Sequence, residues 1–285
     1  MENTTAFYRK QRRKSFFVSL LDISFGLYFG RRRHIMQLSE NSSRHVGING
    51  AQLKLFAIVT MLIDHCGLAI VYYGLLHSTN PALTTRQDLL WDIYHLMRDI
   101  GRTAFPVFLF LLVQGFIHTH DRKAYAKRLF IFGILSEIPF DLCIDQKLFS
   151  VAHQNVMWSL LFGFLMMWGL DYISRREIPE TMKFLLGLVV IAATALSAWG
   201  LHTDYRYKGI LILAVLYFVR FDKRLTLVAL VVCFLWEPAA IFAAIPVAFY
   251  NGQRGNMPKQ FFYWFYPVHL LVLYGLQGVI LYFLQ

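Results

Sequence analysis

The chain is poor in charge. Only 16% of its 285 residues are Asp, Glu, Lys or Arg, where a soluble domain carries about a quarter. Cysteine is scarce as well. Cys66, Cys143 and Cys233 all fall in apolar stretches, and none has a partner at metal-ligand spacing. They read as buried free thiols, which excludes a disulfide scaffold and a zinc module. HExxH, GxSxG, CxxC and glycine-rich phosphate loops are all absent. Zinc-protease, serine-hydrolase and soluble nucleotide-binding chemistries therefore have no anchor. Internal repeats, low-complexity tracts and a cleavable signal peptide are not evident either.

What the chain has in abundance is apolar surface. It is 57% hydrophobic, its mean hydropathy is +0.47, and apolar runs of about 18 residues or more recur. The 26 Phe, 15 Tyr and 6 Trp suit lipid contact and interfacial belts. The fold class that follows is all-α, a polytopic integral membrane protein. Spans are expected near residues 53–76, 103–119, 129–144, 155–173, 183–201, 209–220 and 261–284. An amphipathic piece at 89–103 precedes the second span. The segment 225–250 is broken at Trp236-Glu237-Pro238, because proline removes a backbone donor. One broken helix there or two short crossings, the second being favoured, give a total of about eight to nine transmembrane helices. Residues 1–45 form a basic leader with an expected interfacial helix, and residues 46–285 form the transmembrane domain.

The net charge is +11, from 28 Lys and Arg against 17 Asp and Glu. The basic residues lie between apolar segments, in HTHDRKAYAKR, SRREIPETMK and RFDKR, not on a soluble face. Positive-inside topology and anionic membrane lipid explain them better than nucleic acid does. These loops and the N-terminus are expected in the cytoplasm.

The informative residues are the polar ones at membrane depth: Asp64, His65, Arg102, Gln114, Glu137, Asp141, Asn155, Asp171, Asp204, Glu237 and His269. So many in one bundle imply a wet, polar interior. Neighbours on a helix point about 100° apart. Asp64 is therefore expected to pair with an arginine, while another group orients His65. His65 itself is either a general base or a structural hydrogen-bond donor. Glu137 and Asp141 are four apart and share a helix face, as do Arg98 and Arg102. The carboxylates suit acid/base work or a cation site. The alternative is a structural pairing with arginines across the bundle. His118 and His120 sit in a basic loop beside Asp121, where a solvated turn is the simpler reading and no metal is expected. His269, in FYWFYPVHLLVL, is either part of an aromatic belt or part of a site.

Five ordered blocks carry a family resemblance over about residues 47–285: NGAQLKLFAIVTMLIDHCG, IGRTAFPVFLFLLVQGF, RLFIFGILSEIPFDL, QNVMWSLLFGFL and FYWFYPVHLL. Together they resemble the TraX family. That family is associated with N-terminal acetylation of conjugative pilin and is similar to a wider class of integral-membrane acyltransferases. The resemblance implies an acetyltransferase of the bacterial inner membrane, with acetyl-CoA as donor. The acceptor would be an amine or hydroxyl, on a pilin N-terminus or a cell-envelope glycan. It assigns the catalytic role to His65, with Asp64 in support. Arg102 is implied in binding donor or substrate, with Arg98 beside it. Glu137, Asp141, Asn155 and His269 are brought forward as substrate or structural polar sites. A homo-oligomer is compatible with the sequence. A proton-coupled transporter using Asp64, His65, Glu137 and Asp141 as relay stays open, as does a non-catalytic scaffold.

Overall fold

A computed structural model describes residues 47–284 apart from Thr79. The basic leader and its expected interfacial helix lie outside the described residues. Among those described, the chain is helical, with only two isolated bridges, Ile48–Tyr250 and Gln154–Thr203. Residues Gly47–Ile178 and Met182–Gln285 belong to one compact unit.

Helix α1, Gly50–Cys66, begins at a capping box. The Asn49 side chain accepts from the amides of Ala51 and Gln52, and the Gln52 side chain accepts from the Asn49 amide. Three orphan donors of the first turn are thereby satisfied. The helix continues without a break as a π-helix, Gly67–Leu76. A short α2, Pro81–Thr84, leads to α3, Gln87–Arg102, and α4, Ala104–His118. Then come α5, Arg122–Phe140, with a π-helical extension Asp141–Asp145, and α6, Val156–Ser174. Helix α7 is Glu180–Gly200, α8 is Arg206–Val219 and α9 is Lys223–Cys233. A 3-10 turn, Pro238–Ala243, runs into α10, Ala244–Ala248, and α11, Lys259–Leu284, closes the chain.

Five stretches are long and apolar enough to cross a bilayer: Gly50–Leu76, Gln87–His118, Val156–Ser174, Glu180–Gly200 and Gln260–Leu284. The protein is thus a multi-pass membrane protein. Helices α5, α8, α9 and the segment Pro238–Ala248 complete the bundle. The break expected at Trp236-Glu237-Pro238 is present. The amphipathic piece is not separate from the second span: α3 and α4 meet at a single turn residue, Thr103, whose hydroxyl donates to the Ile100 carbonyl. At 1.5 Å per residue the 32-residue stretch is about 48 Å long, against about 30 Å of hydrocarbon. Its apolar half, α4, is the part sunk in the core, with Val107, Leu109 and Phe110 through Val113 all buried. Helix α6 packs beside it through Phe164, Met166 and Met167, each fully enclosed.

Polar contacts pin the helix ends. Asn155 caps α6 by accepting from the Met157 amide, while its own amide donates to the Gly133 carbonyl and to Glu137. Arg122, at the start of α5, reaches Asp171 near the end of α6 at 2.7 Å. Tyr73 donates to the Ile144 carbonyl, and Gln146 and Gln277 exchange amide hydrogen bonds. The last two tie the far ends of α1, α5 and α11.

Gly101 is where α3 presses closest on α1. A β-carbon there would lie 2.2 Å from Asp64 Cβ and 2.3 Å from Asp64 Oδ1. Gly278 on α11 has nothing within 4 Å of the same position. Gly101→Ala should therefore lower the melting temperature in detergent, by the equivalent of about 1–3 kcal/mol of overpacking. Gly278→Ala should hold or raise it, since alanine is the better helix former. Equal melting temperatures for the two variants would contradict the packing described.

Candidate functional site

The site is built where α1 changes from α- to π-helical geometry. Asp64 and His65 are its last α-helical polar residues. π-Helical turns are rare and cluster at functional positions, because they re-aim side chains without breaking the helix. Helices α3 and α11 supply the partners.

His65 Nδ1 lies 2.7 Å from His269 Nε2. The two imidazole planes differ by 7° and their centres are 5.0 Å apart. That separation is one hydrogen bond plus two ring radii, so the rings meet edge to edge in one plane, along the lone-pair direction. His269 is 5% exposed, and its Nδ1 is 2.7 Å from the Phe265 carbonyl oxygen. A carbonyl only accepts, so His269 Nδ1 carries its hydrogen. In the neutral ring, Nε2 of His269 is then an acceptor, and His65 Nδ1 must be the donor to it. The chain of bonds leaves the lone pair of His65 on Nε2. A group orienting the imidazole was expected; a second histidine 204 residues away supplies it.

Asp64 points elsewhere, as the 100° offset requires. Its Oδ2 is 2.6 Å from Arg98 Nη1, which bears out the expected arginine partner. One turn on, Arg102 Nε is 2.9 Å from Glu237 Oε1. Both arginines expected at a donor site are thus held by carboxylates. Arg102 still keeps 35% side-chain exposure. Glu237 was singled out in the sequence as a polar group, not as a site residue. The signal that could have promoted it was its place beside Pro238, at a helix break facing the bundle.

Glu137 and Asp141 depart from the expected arginine pairing. Glu137 Oε1 accepts from the Asn155 amide at 2.8 Å and from the Trp158 indole. Asp141 Oδ2 accepts from the Ser150 backbone amide at 2.8 Å. The reason is positional. Their face of α5 packs on the start of α6 and its preceding loop, which offer neutral donors, while Arg98 and Arg102 are engaged on α3. Among the described residues, no hydrogen bond or ion pair links either carboxylate to Asp64 or His65. Asn155 has both amide hydrogens and its oxygen engaged, so it works as a clamp. Among the described residues, no group of three His, Cys, Asp or Glu is placed to hold a metal ion.

A family model described as "TraX protein" matches residues 49–277. The chain is also 28% identical over 258 residues to a "Probable fimbrial assembly protein FimC, serogroup H1" of Dichelobacter nodosus, an alignment covering 81% of this chain and 96% of that protein. No solved structure matches. The family match takes in both histidines and every ion pair of the site, from Asp64 to His269, and the chain belongs to the TraX family.

Proposed function

We propose that the protein is an acetyltransferase of the bacterial inner membrane, moving acetyl from acetyl-CoA to an amine or hydroxyl acceptor. The observation that carries this reading is the His65–His269 pair. A largely buried imidazole whose Nδ1 is fixed as a donor presents a basic Nε2, which is the arrangement a general base needs. The acceptor's nitrogen or oxygen attacks the thioester carbonyl carbon and gives its proton to His65 Nε2. The tetrahedral oxyanion collapses, the carbon–sulfur bond breaks, and the CoA thiolate leaves with the proton from His65. Charge that appears on His65 is shared through the hydrogen bond to His269. Arg102, with its remaining exposure, is assigned to the developing oxyanion. Asp64 holds Arg98 and sets the spacing of α1 and α3.

The relative from Dichelobacter nodosus is named for fimbrial assembly, which brings a pilin-like polypeptide forward as acceptor, through its N-terminal amine; a cell-envelope glycan hydroxyl is the other candidate. The basic loops support a cytoplasmic start of α1 by the positive-inside rule. Proton-coupled transport through Asp64, His65, Glu137 and Asp141 has less support, because the two carboxylates of α5 are not joined to His65 by hydrogen bonds among the described residues.

Purified protein, radiolabelled acetyl-CoA and a peptide with a free N-terminus test the activity directly. His65→Ala should cost about 100-fold or more in kcat, the usual worth of a general base. Full turnover by that variant would sink the assignment. The rate should also fall as pH drops, since a protonated Nε2 accepts nothing.

The role of His269 has its own signature. His269→Gln keeps an acceptor for His65 Nδ1–H, and His269→Leu removes it. The leucine variant should lose about tenfold or more in kcat and shift the acidic limb of the pH–rate profile. The glutamine variant should recover part of the rate. Identical pH profiles for wild type and leucine variant would remove His269 from the mechanism.

A further inference from the structure

Away from the histidines, where α1 begins and α4 ends, the bundle holds a cavity of about 450 Å³. Its walls are apolar and aromatic, from Phe108, Leu111, Leu112, Leu160 and Phe262. Around them stand Lys54, His118, Arg128 and Arg254, and none of the described lining residues is acidic. Four arginines elsewhere in the bundle are partnered differently. Arg98, Arg102, Arg122 and Arg175 all meet carboxylates. In the cavity Arg128 lies against aromatic faces, and so does the Lys54 ammonium. Lys54 Nζ is 5.1 Å from the Phe262 ring centre, and the Arg128 guanidinium is 5.6 Å from Tyr125 and 6.0 Å from Tyr263. A ring face positions a cation without neutralising it.

A second observation points the same way. Arg128 Nε is buried with no hydrogen-bond partner. A buried charged donor left open is costly unless a ligand fills it. The first turn of α1, at Gly50 on the cavity wall, adds the positive end of a helix dipole. Guanidinium groups and a helix start around an apolar chamber fit a phosphate ester with an uncharged arm.

We infer that this cavity is the binding site for the phosphates of the acyl donor, with Arg128 and Arg254 as their ligands and the arm directed along α1 and α11 toward His65. The identity of the ester rests on the acetyltransferase reading; the anion site does not. The span is consistent with the arm. Lys54 and His65 are eleven residues apart on α1, about 16 Å, and Phe262 and His269 are seven apart on α11, about 10 Å. An extended pantetheine arm covers that reach. Phosphates would stay at one end while the thioester carbonyl meets the base.

The probe is free CoA, titrated into protein in phosphatidylcholine nanodiscs, with pantetheine and inorganic phosphate in parallel. CoA should bind wild type and His65→Ala alike, and pantetheine, lacking phosphate, more weakly. Arg128→Gln and Arg254→Gln should each weaken CoA binding by about tenfold or more, the worth of a charge-assisted contact. Arg128→Lys should recover part of it, and all variants should keep the wild-type melting temperature. In turnover, the glutamine variants should raise KM for acetyl-CoA and leave kcat largely unchanged. Unchanged CoA affinity and unchanged KM in both would overturn the site and leave the acetyltransferase reading standing. CoA binding that depends on Arg128 with no transfer to any amine or hydroxyl would keep the site and overturn the activity. Displacement of CoA by phosphatidylglycerol in the nanodisc would make the cavity a lipid-headgroup site and overturn the donor assignment.

Discussion

A polar group at membrane depth has to find its partner inside the protein, and most of this architecture follows from that rule. Arg98 closes Asp64 and joins α3 to α1. Arg102 closes Glu237 and brings the helix break after α9 against the same surface. Arg122 and Arg175 close Asp171 at the other end of α6. Neutral groups do equal service: Asn155 and Trp158 hold Glu137, and Gln146 holds Gln277. Lipid offers none of these helices a competing partner. Hydrophobic contact is nearly indifferent between a lipid tail and a neighbouring leucine, so the polar contacts set which helices meet and in what register.

The sequence showed the demand for such contacts more clearly than their solution. Apolar runs located the long helices, and the Trp236-Glu237-Pro238 break was visible from proline chemistry alone. That Asp64 needs an arginine followed from its depth and its angle to His65. The partner of His65 did not follow, because a contact spanning most of the chain leaves no periodic trace. His269 was visible as a polar group at membrane depth, but nothing in the sequence joined it to His65. Glu137 shows the limit in another form. Its spacing to Asp141 matched that of Arg98 and Arg102, and the matching suggested a pairing across the bundle. The structure gives each carboxylate a neutral donor, because helix adjacency decides, and adjacency is not written in the spacing. The continuity of α3 with α4 was hidden for a related reason: amphipathic and apolar halves of one helix look like two elements when only hydropathy separates them.

The cations are distributed unevenly between the two ends of the bundle. Near His65 each arginine is matched by a carboxylate. In the cavity near the start of α1, Arg128 is backed by aromatic rings, and none of the described lining residues is acidic. Self-repulsion between Arg128 and Arg254 beside an apolar chamber costs free energy, and one aspartate in the wall would relieve it. A basic chamber walled in part by α1 and α11, the helices that also carry His65 and His269, is the arrangement expected if an anion arrives and leaves with every cycle of the proposed reaction.

The adjacency of Asp64 and His65 invites a reading as acid and base of one unit, and the geometry separates them. A carboxylate on the imidazole would stabilise its charged form, but in the proposed acyl transfer it would also place a formal negative charge at the reacting centre, beside an incoming thioester whose carbonyl oxygen turns negative. Here the negative charge of Asp64 is turned to Arg98, and the imidazole is oriented by a neutral histidine that is itself anchored on a backbone carbonyl. Orientation and tautomer are fixed without a net charge on the orienting group. For acyl transfer within a membrane, where every uncompensated charge is expensive and the product of attack is an oxyanion, a neutral pair is the arrangement that costs least to bury and opposes the reaction least.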